Sequence, residues 1–227
     1  MLKLKSVILL FIISVVVFYG CSKDEDPVAP TQSKSKVMVV HSSPDAPAVD
    51  LLVDNQLAGT NLAFPSNTSY LEVNSGSRNF KVNVAGTNTT VIDVSPSLVV
   101  NATYSVFAVN SVASIEPLLL TDDLSTPASG KAHVRFIHLS PDAPAVDITL
   151  ADGTIVFSNR AFKEFTPFTP LDAGTYNLQV RVAGTTTVAL DLPGITLQAG
   201  KIYTVFAKGF LAGSGAQALG AQIIVNN

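Results

Sequence analysis

The chain has 227 residues, with 14 Lys and Arg against 17 Asp and Glu, and a formal net charge of −3. This acidic balance argues against a nucleic-acid partner. The only cysteine, Cys21, excludes a disulfide framework and is the only candidate for a catalytic thiol. In chain order, a basic start with Lys3 and Lys5 precedes an apolar run of 13 residues from Val7 to Tyr19. A helix of that length reaches about 20 Å, short of the roughly 30 Å hydrocarbon core of a bilayer, so the run predicts a secretory signal.

The residues around Cys21 predict an exported lipoprotein. Phe18-Tyr19-Gly20-Cys21 resembles a bacterial lipobox, and Ser22–Asp26 resembles the acidic signal that sends some lipoproteins to the outer face of a Gram-negative outer membrane. We therefore expect a signal peptide at 1–20, lipid on Cys21, a flexible tether at 21–35 and attachment to the outer membrane. Loss of Lys3 and Lys5 with the signal would move the formal charge from −3 to −5. The alternative is an uncleaved N-terminal anchor in which Cys21 has no role.

An internal repeat determines the domain prediction. His41–Asp50 (HSSPDAPAVD) recurs as His138–Asp147 (HLSPDAPAVD), with nine of ten positions identical. The match continues with Val82–Thr87 against the later Val180–Thr185. A period near 97 residues is too long for a solenoid unit, so each copy is expected to be a domain with its own core. We predict repeats at 36–123 and 131–227, joined by a linker at 124–130.

Within each copy, apolar residues alternate with polar ones, as in Tyr176–Val182, and glycine-containing turns recur about every ten residues. This pattern predicts an all-β fold of two tandem antiparallel Greek-key sandwiches of immunoglobulin-like type, with one face of each strand in a core and the other in water. Leu197-x-x-Gly200-x-x-Tyr203 is the pattern of a tyrosine corner, in which the hydroxyl bonds back across a turn. Leu98 and Tyr104 repeat the spacing.

Three motifs that occur in both copies resemble those of a known family. They are His-x-Ser-Pro-Asp-Ala-Pro-x-Val-Asp, Val-x-Val-Ala-Gly-Thr and a closing Tyr-x-Val-Phe-Ala. The chain from Lys36 onward is similar to two tandem copies of domain-of-unknown-function family 4397. That resemblance implies a secreted or lipid-anchored bacterial protein and supplies no mechanism.

The repeated motif is the only candidate for chemistry. His, Asp and Asp side chains of this kind can hold a divalent ion, but their spacing matches no specific zinc or calcium pattern, so we predict no metal and no cofactor. Serine, aspartate and proline at this spacing also form rigid turns, and this structural interpretation is favoured. No Gly-x-Ser-x-Gly elbow is present, so we expect no enzyme. The motif residues are His41, Asp45, Asp50, His138, Asp142 and Asp147.

The two copies differ at Phe165, where the first copy has Asn67. Phe165 is either an exposed contact for a partner or an additional core residue. The function that fits these features best is a lipid-anchored envelope protein that displays two modules for binding or adhesion to an unidentified protein or glycan. The alternatives are a passive spacer of the envelope and a metal-dependent hydrolase that uses the His-x-Ser-Pro-Asp motif.

Overall fold

The computed structural model describes residues 33–227, which lie within one compact unit. The predicted signal peptide, Cys21 and all but the end of the predicted tether lie outside the described residues. Across residues 33–227, no helix is long and apolar enough to cross a membrane.

Two four-stranded sheets form the first repeat. Its inner sheet has the order β10-β9-β1-β4, its outer sheet has the order β3-β2-β6-β7, and β5 pairs with β8. A three-residue 3-10 helix, Val112–Ser114, lies between β9 and β10. The strands are β1 (Lys34–His41), β2 (Val49–Val53), β3 (Gln56–Leu62), β4 (Leu71–Asn74), β5 (Gly76–Ser77), β6 (Phe80–Val84), β7 (Thr90–Val94), β8 (Ser97–Leu98), β9 (Thr103–Val109) and β10 (Glu116–Thr121).

The second repeat has the same plan. Its inner sheet has the order β14-β11-β17-β18 and its outer sheet has the order β13-β12-β15-β16. A 3-10 helix, Gly215–Gln217, lies in the hairpin loop between β17 and β18. The strands are β11 (Lys131–His138), β12 (Val146–Leu150), β13 (Ile155–Arg160), β14 (Thr169–Asp172), β15 (Gly174–Val182), β16 (Val188–Leu197), β17 (Ile202–Lys208) and β18 (Gly220–Val225).

The all-β prediction with two tandem sandwiches is confirmed, with one difference in strand direction. Most pairs are antiparallel, but β1 lies parallel to β9 and β11 lies parallel to β17. The first strand of each repeat therefore enters the inner sheet beside a strand from the end of the same repeat. This long-range pairing closes each repeat on itself, and the alternation pattern does not reveal it.

Each sandwich has its own apolar core between its inner and outer sheets. In the first repeat, Val37 and Val39 of β1 pack with Leu51 and Phe80. In the second repeat, Val134 and Phe136 of β11 occupy the corresponding positions. These are alternate residues of the first strand of each repeat, as a half-buried strand requires.

The expectation that the other face of every strand lies in water is wrong for the inner sheets. Met38, Val40 and Phe107 of the first repeat pack with Ile137 and Phe206 of the second in a third apolar cluster. The Phe107 and Phe206 rings meet edge to face, with centroids 5.9 Å apart. The inner sheets are thus buried on both faces, and the outer sheet, inner sheet, inner sheet and outer sheet form four stacked layers. The repeats share a core in addition to having one each.

A buried polar cluster lies in the interface between the inner sheets. Arg135 of the second repeat donates from Nη1 to Asp122 Oδ1 of the first at 2.7 Å and from Nη2 to Ser105 Oγ at 3.1 Å. The side chains of Arg135 and Asp122 are 2% and 0% exposed. Arg135 also donates to Thr204, and its guanidinium lies 4.5 Å from the centre of the Phe168 ring. A buried charge pair of this kind is tolerated because nearly every polar atom has a partner.

Tyr70 and Asn226 extend this cluster across the interface. The Tyr70 hydroxyl donates to Asp122 Oδ2 at 2.5 Å and accepts a hydrogen bond from Asn226 Nδ2 at 2.8 Å. Burial, and then the negative charge of Asp122, raise the pKa of the Tyr70 hydroxyl well above its usual range. The hydroxyl therefore stays protonated and remains a donor to the carboxylate at physiological pH.

The inter-repeat contacts fix the direction of the stack. Arg135 donates to both Ser105 and Thr204, and the Phe107 ring contacts the Phe206 ring. Strands β9 and β17 therefore face each other across the interface and run in the same direction. Because β1 and β11 are parallel to them, both copies of the motif emerge at one end of the stack. The chain enters the described part at the opposite end, at Ser33, since β1 begins at Lys34.

The predicted tyrosine corners are confirmed at this entry end. The Tyr104 hydroxyl accepts a hydrogen bond from the Val99 amide, and the Tyr203 hydroxyl accepts one from Gln198, each at 3.0 Å. Gly200 has φ of +78° and Asn101, in the same position of the first repeat, has φ of +60°. Asparagine tolerates this left-handed conformation, so both copies make the turn.

Candidate functional site

The loops that emerge opposite Ser33 form the candidate site, and we refer to them together as the loop end. The segments come from equivalent positions of the two repeats, because each set follows the same strands. The loop end consists of residues 42–48, 63–68 and 110–115 of the first repeat and residues 139–145, 161–167 and 209–219 of the second.

The two motif histidines are buried at the base of the loop end. Nε2 of His41 lies 3.0 Å from the Pro47 carbonyl oxygen, and Nε2 of His138 lies 3.0 Å from that of Pro144. A carbonyl oxygen only accepts, so Nε2 carries the proton in both rings. Nδ1 of His138 accepts a hydrogen bond from the Ser140 amide at 3.3 Å. Each imidazole thus fastens the motif loop to the end of the strand before it.

Burial sets the charge of these histidines. Desolvation lowers the pKa of His41 and of His138, and the hydrogen bonds to the proline carbonyls offset it only in part. Neutral imidazole is therefore the form that the folded protein holds.

We expect stability to fall on acidification because of this neutral pair. The unfolded chain binds protons near pH 6.5 before the folded chain does, so the contribution is complete above that pH and is lost below it. The free energy of unfolding should fall by up to about 2.7 kcal/mol per pH unit as the pH drops below roughly 6.5. Urea unfolding at pH 7.5, 6.5, 5.5 and 5.0 measures the slope. A double variant, His41→Gln with His138→Gln, should flatten it, and an unchanged slope in that variant would contradict the assignment.

The first aspartate of each motif holds a neighbouring loop. Asp45 Oδ1 accepts a hydrogen bond from the Val112 amide, and Asp142 Oδ1 accepts one from the Leu211 amide, each at 2.8 Å. These carboxylates fix the tip of the loop after β9 and of the loop after β17. The side chains at the two tips are both apolar and exposed, Val112 by 40% and Leu211 by 50%.

The second aspartate of each motif ties strands of the outer sheet together. Asp50 accepts hydrogen bonds from the amides of Asn61 at 2.8 Å and Gly86 at 2.9 Å. Asp147 accepts from the equivalent Asn159 at 2.7 Å and Gly184 at 2.9 Å. The bond from Asn61, and then the one from Gly86, lower the pKa of Asp50. Both carboxylate oxygens therefore have backbone donors in each repeat.

The motif does not bring its histidine and two aspartates to one point. His41 and His138 face proline carbonyls. In each repeat, the two aspartates accept hydrogen bonds from backbone amides of three different segments. Among residues 33–227, no group of three or more His, Cys, Asp or Glu side chains is placed to hold a metal ion.

Phe165 lies at the loop end with its side chain 45% exposed. Its backbone bridges to Ile137, in the same way that Asn67 bridges to Val40 in the first repeat. Of the two alternatives for Phe165, the structure therefore agrees with the exposed position and places it near the second motif. Phe165 is the third large apolar side chain exposed at the loop end, after Val112 and Leu211.

Sequence reasoning missed Val112 and Leu211. A signal for them exists, since each is an apolar residue four positions after the Ala of the repeated Phe-Ala pair, Phe107-Ala108 and Phe206-Ala207. A residue in a turn-forming segment lies outside the alternating pattern of a strand, so the sequence does not predict whether its side chain is exposed or buried. Only the bond from the motif aspartate shows that it is held in place.

Contacts between the repeats also reach the loop end. Lys163 Nζ lies 2.9 Å from Glu116 Oε1 of the first repeat, and Lys208 Nζ lies 5.3 Å from the centre of the Phe64 ring. The Lys163 pair is partly exposed, so its energetic contribution is small. Its position shows that the loops of the two repeats adjoin and form one continuous surface.

Comparison with known families gives one match. A sequence model of the family described as "Domain of unknown function (DUF4397)" matches residues 35–149 and 146–227, in agreement with the resemblance noted from the motifs. No curated protein gives a significant match to the chain.

Proposed function

The chain belongs to the DUF4397 family, and from the geometry of its loop end we propose that it is a lipid-anchored envelope protein that binds a partner through that end. In this proposal, lipid on Cys21 holds the protein at the outer membrane of a Gram-negative bacterium. The partner is an envelope or extracellular protein or glycan. The protein performs no catalysis and presents a fixed binding surface.

One observation carries the proposal: both motif copies and both loop tips emerge at the end opposite Ser33. A tether from Cys21 reaches the folded unit at Ser33, so the loop end is the end directed away from the anchor. An anchored receptor needs this arrangement, because its binding loops must reach a partner beyond the membrane.

The loop end also has the composition of a binding surface. Val112, Leu211 and Phe165 are exposed apolar side chains on segments fixed by hydrogen bonds. Exposed apolar groups that are already ordered lose little entropy on binding, and clustered ones mark interaction sites. The shared core holds the loops of both repeats in one orientation, so the two tips can engage one partner together.

The alternative functions have less support. A hydrolase would need the motif side chains at one point, whereas the carboxylates accept backbone amides and the imidazoles face carbonyl oxygens. A passive spacer would account for the stacked sheets. It gives no reason for an exposed apolar residue at the same loop tip of both repeats, Val112 and Leu211.

Photo-crosslinking in the source bacterium tests the proposal. A benzophenone amino acid is placed at position 165 or 211 of the full-length protein and, as a matched control, at Val99, which is 66% exposed at the entry end. We expect a discrete crosslinked species from 165 and 211 and none from 99. Because crosslinking can miss a glycan, a glycan array is also probed with the chain from Ser22 onward. A signal on the array would identify a glycan partner.

Variants show whether the signal depends on the loop end. For this test the benzophenone amino acid is moved to position 112, where we also expect a crosslinked species. Leu211→Asp combined with Phe165→Asn, the residue of the first repeat, should remove that species and any glycan signal, whereas Val99→Asp should keep both. Cys21→Ala should release the protein from the membrane fraction. If positions 165 and 211 give no species and the array is blank, the spacer alternative replaces binding. If Cys21→Ala stays with the membranes, lipid anchoring is wrong.

A further inference from the structure

The second repeat contains an apolar cavity of about 300 Å³ between its inner and outer sheets. Residues from seven of its eight strands line it, among them Phe136, Phe157, Leu178, Ile195 and Val205. Apart from the Tyr176 hydroxyl, every lining side chain is a hydrocarbon, and that hydroxyl already donates to the Asp172 carbonyl at 2.8 Å. The cavity therefore offers a ligand no polar side-chain anchor.

The two repeats differ at two positions of this core. Leu178 occupies the strand position of Phe80, which is buried in the first core. Phe157 pairs with Ile148 where Gly59 pairs with the equivalent Leu51. The second repeat has a phenylalanine there and a smaller residue at the position of Phe80.

The positions of the lining residues limit the length of the cavity. Its lining residues include Ile155 of β13 and Ile195 of β16, the two edge strands of the outer sheet. Three strand spacings separate these edges, which is about 14 Å. Spread over a length of up to about 14 Å, a volume near 300 Å³ has a mean cross-sectional area of about 20 Å². This area is about that of one extended hydrocarbon chain.

The volume also exceeds what a folded core leaves empty. Protein interiors contain few voids larger than a water molecule, and a dry apolar cavity of about 150 Å³ is enough to bind benzene. A space of this size with no polar partners is unsuitable for ordered water. Its complement is a hydrocarbon, which would bury its own surface and that of the lining side chains.

We propose that the second repeat binds one straight fatty acyl chain between its sheets. The site is separate from the loop end and does not depend on the binding function proposed there. Ile155, which lines the cavity and is 58% exposed, marks the opening where the head group would remain in solvent. The chain can come from a free fatty acid or from a membrane lipid, since both present the same hydrocarbon to the cavity.

Calorimetric titration of the chain from Ser22 onward with dodecanoate tests this site. We expect saturable binding of one molecule per chain. Leu178→Phe, which restores the residue of the first repeat, should weaken binding about tenfold or more, because each displaced methylene costs severalfold in affinity. Dodecanoyl lysophosphatidylcholine is the second probe. Binding of dodecanoate alone identifies a free fatty acid, and comparable binding of both identifies the acyl chain of a lipid.

A matched pair of exposed variants controls for damage to the fold. Ile155→Asp places a carboxylate at the opening, while Leu57→Asp makes the same change at the equivalent, 61% exposed position of the first repeat. Ile155→Asp should lower dodecanoate affinity and Leu57→Asp should not, with circular dichroism melting to verify folding. The proposal is overturned if neither probe binds, or if Ile155→Asp and the folded Leu178→Phe bind dodecanoate as the wild type does. Loop-end variants should bind dodecanoate normally, which separates this proposal from the proposed function.

Discussion

Replacing Arg135 by methionine, the residue at the equivalent position of the first repeat, is expected to lower the free energy of unfolding by about 3–5 kcal/mol. Arg135 pairs with Thr204 in the sheet register as Met38 pairs with Ser105, so methionine suits the strand. The loss comes from Asp122, whose fully buried carboxylate would be left without the Arg135 guanidinium, its cationic partner among residues 33–227. Urea unfolding of the chain from Ser22 onward measures the change.

A second substitution separates the charge from the packing. Asn226 occupies the position of Asp122 in the second repeat, since their amides donate to equivalent residues, Ile202 and Thr103. Asp122→Asn removes the unpaired charge and keeps one side-chain oxygen, which can accept from both Tyr70 and Ser105 as Asp122 Oδ2 does. The double variant Arg135→Met with Asp122→Asn should therefore recover at least half of the loss, because neutral replacement of a buried ion pair is often tolerated. If the two substitutions are simply additive, the pair does not act as a coupled unit.

The two repeats are expected to stay together after the chain between them is cut. A protease site inserted within 124–130 lets the linker be cleaved in the folded protein. Phe107, Val109, Ile137 and Phe206 form a core that crosses between the repeats and does not depend on the linker. Burial of each large apolar side chain contributes about 1.5–3 kcal/mol, so the fragments should co-elute in size-exclusion chromatography with light scattering.

The second repeat produced alone, as residues 131–227, should behave differently. Its inner sheet would expose Ile137, Leu139 and Phe206 to water and leave Arg135 without Asp122. The loss is comparable with the roughly 5–15 kcal/mol stability of a typical domain, so we expect self-association or unfolding at about 25 °C. Light scattering and circular dichroism measure these outcomes. Monomeric fragments that separate after cleavage and melt like the intact protein would contradict a shared core.

Several elements could be predicted from the sequence because their causes are local. Alternation such as that of Tyr176–Val182 follows from the pleat of a strand, and the tyrosine corner needs only a Leu, a left-handed residue and a Tyr at fixed spacing. Asn101 can take the position of Gly200 in the first repeat because its side chain tolerates positive φ, and it has φ of +60°. The repeat itself indicated that both copies share one fold.

The candidate site was only partly predictable. The motif singled out His41 and Asp45, and its serines and prolines indicated turns. The partners of those side chains are the amides and carbonyls of segments distant in the chain, as in the bond from Val112 to Asp45. A backbone amide has no sequence signature, so neither Val112 nor Leu211 was identified.

The sequence by itself determined that the described part is all-β, that it is a tandem repeat of one family and where its main turns lie. The alternation of apolar and polar residues, the positions of the glycines and the internal repeat can all be recognised in the sequence without a structure. Only the tertiary structure decided that the inner sheets pack together around Arg135 and Asp122 and that both motifs emerge at one end. From the sequence alone, a charged residue in an alternating strand predicts a side chain exposed to solvent. Whether it faces water or a partner carboxylate depends on a second sheet that the strand does not encode.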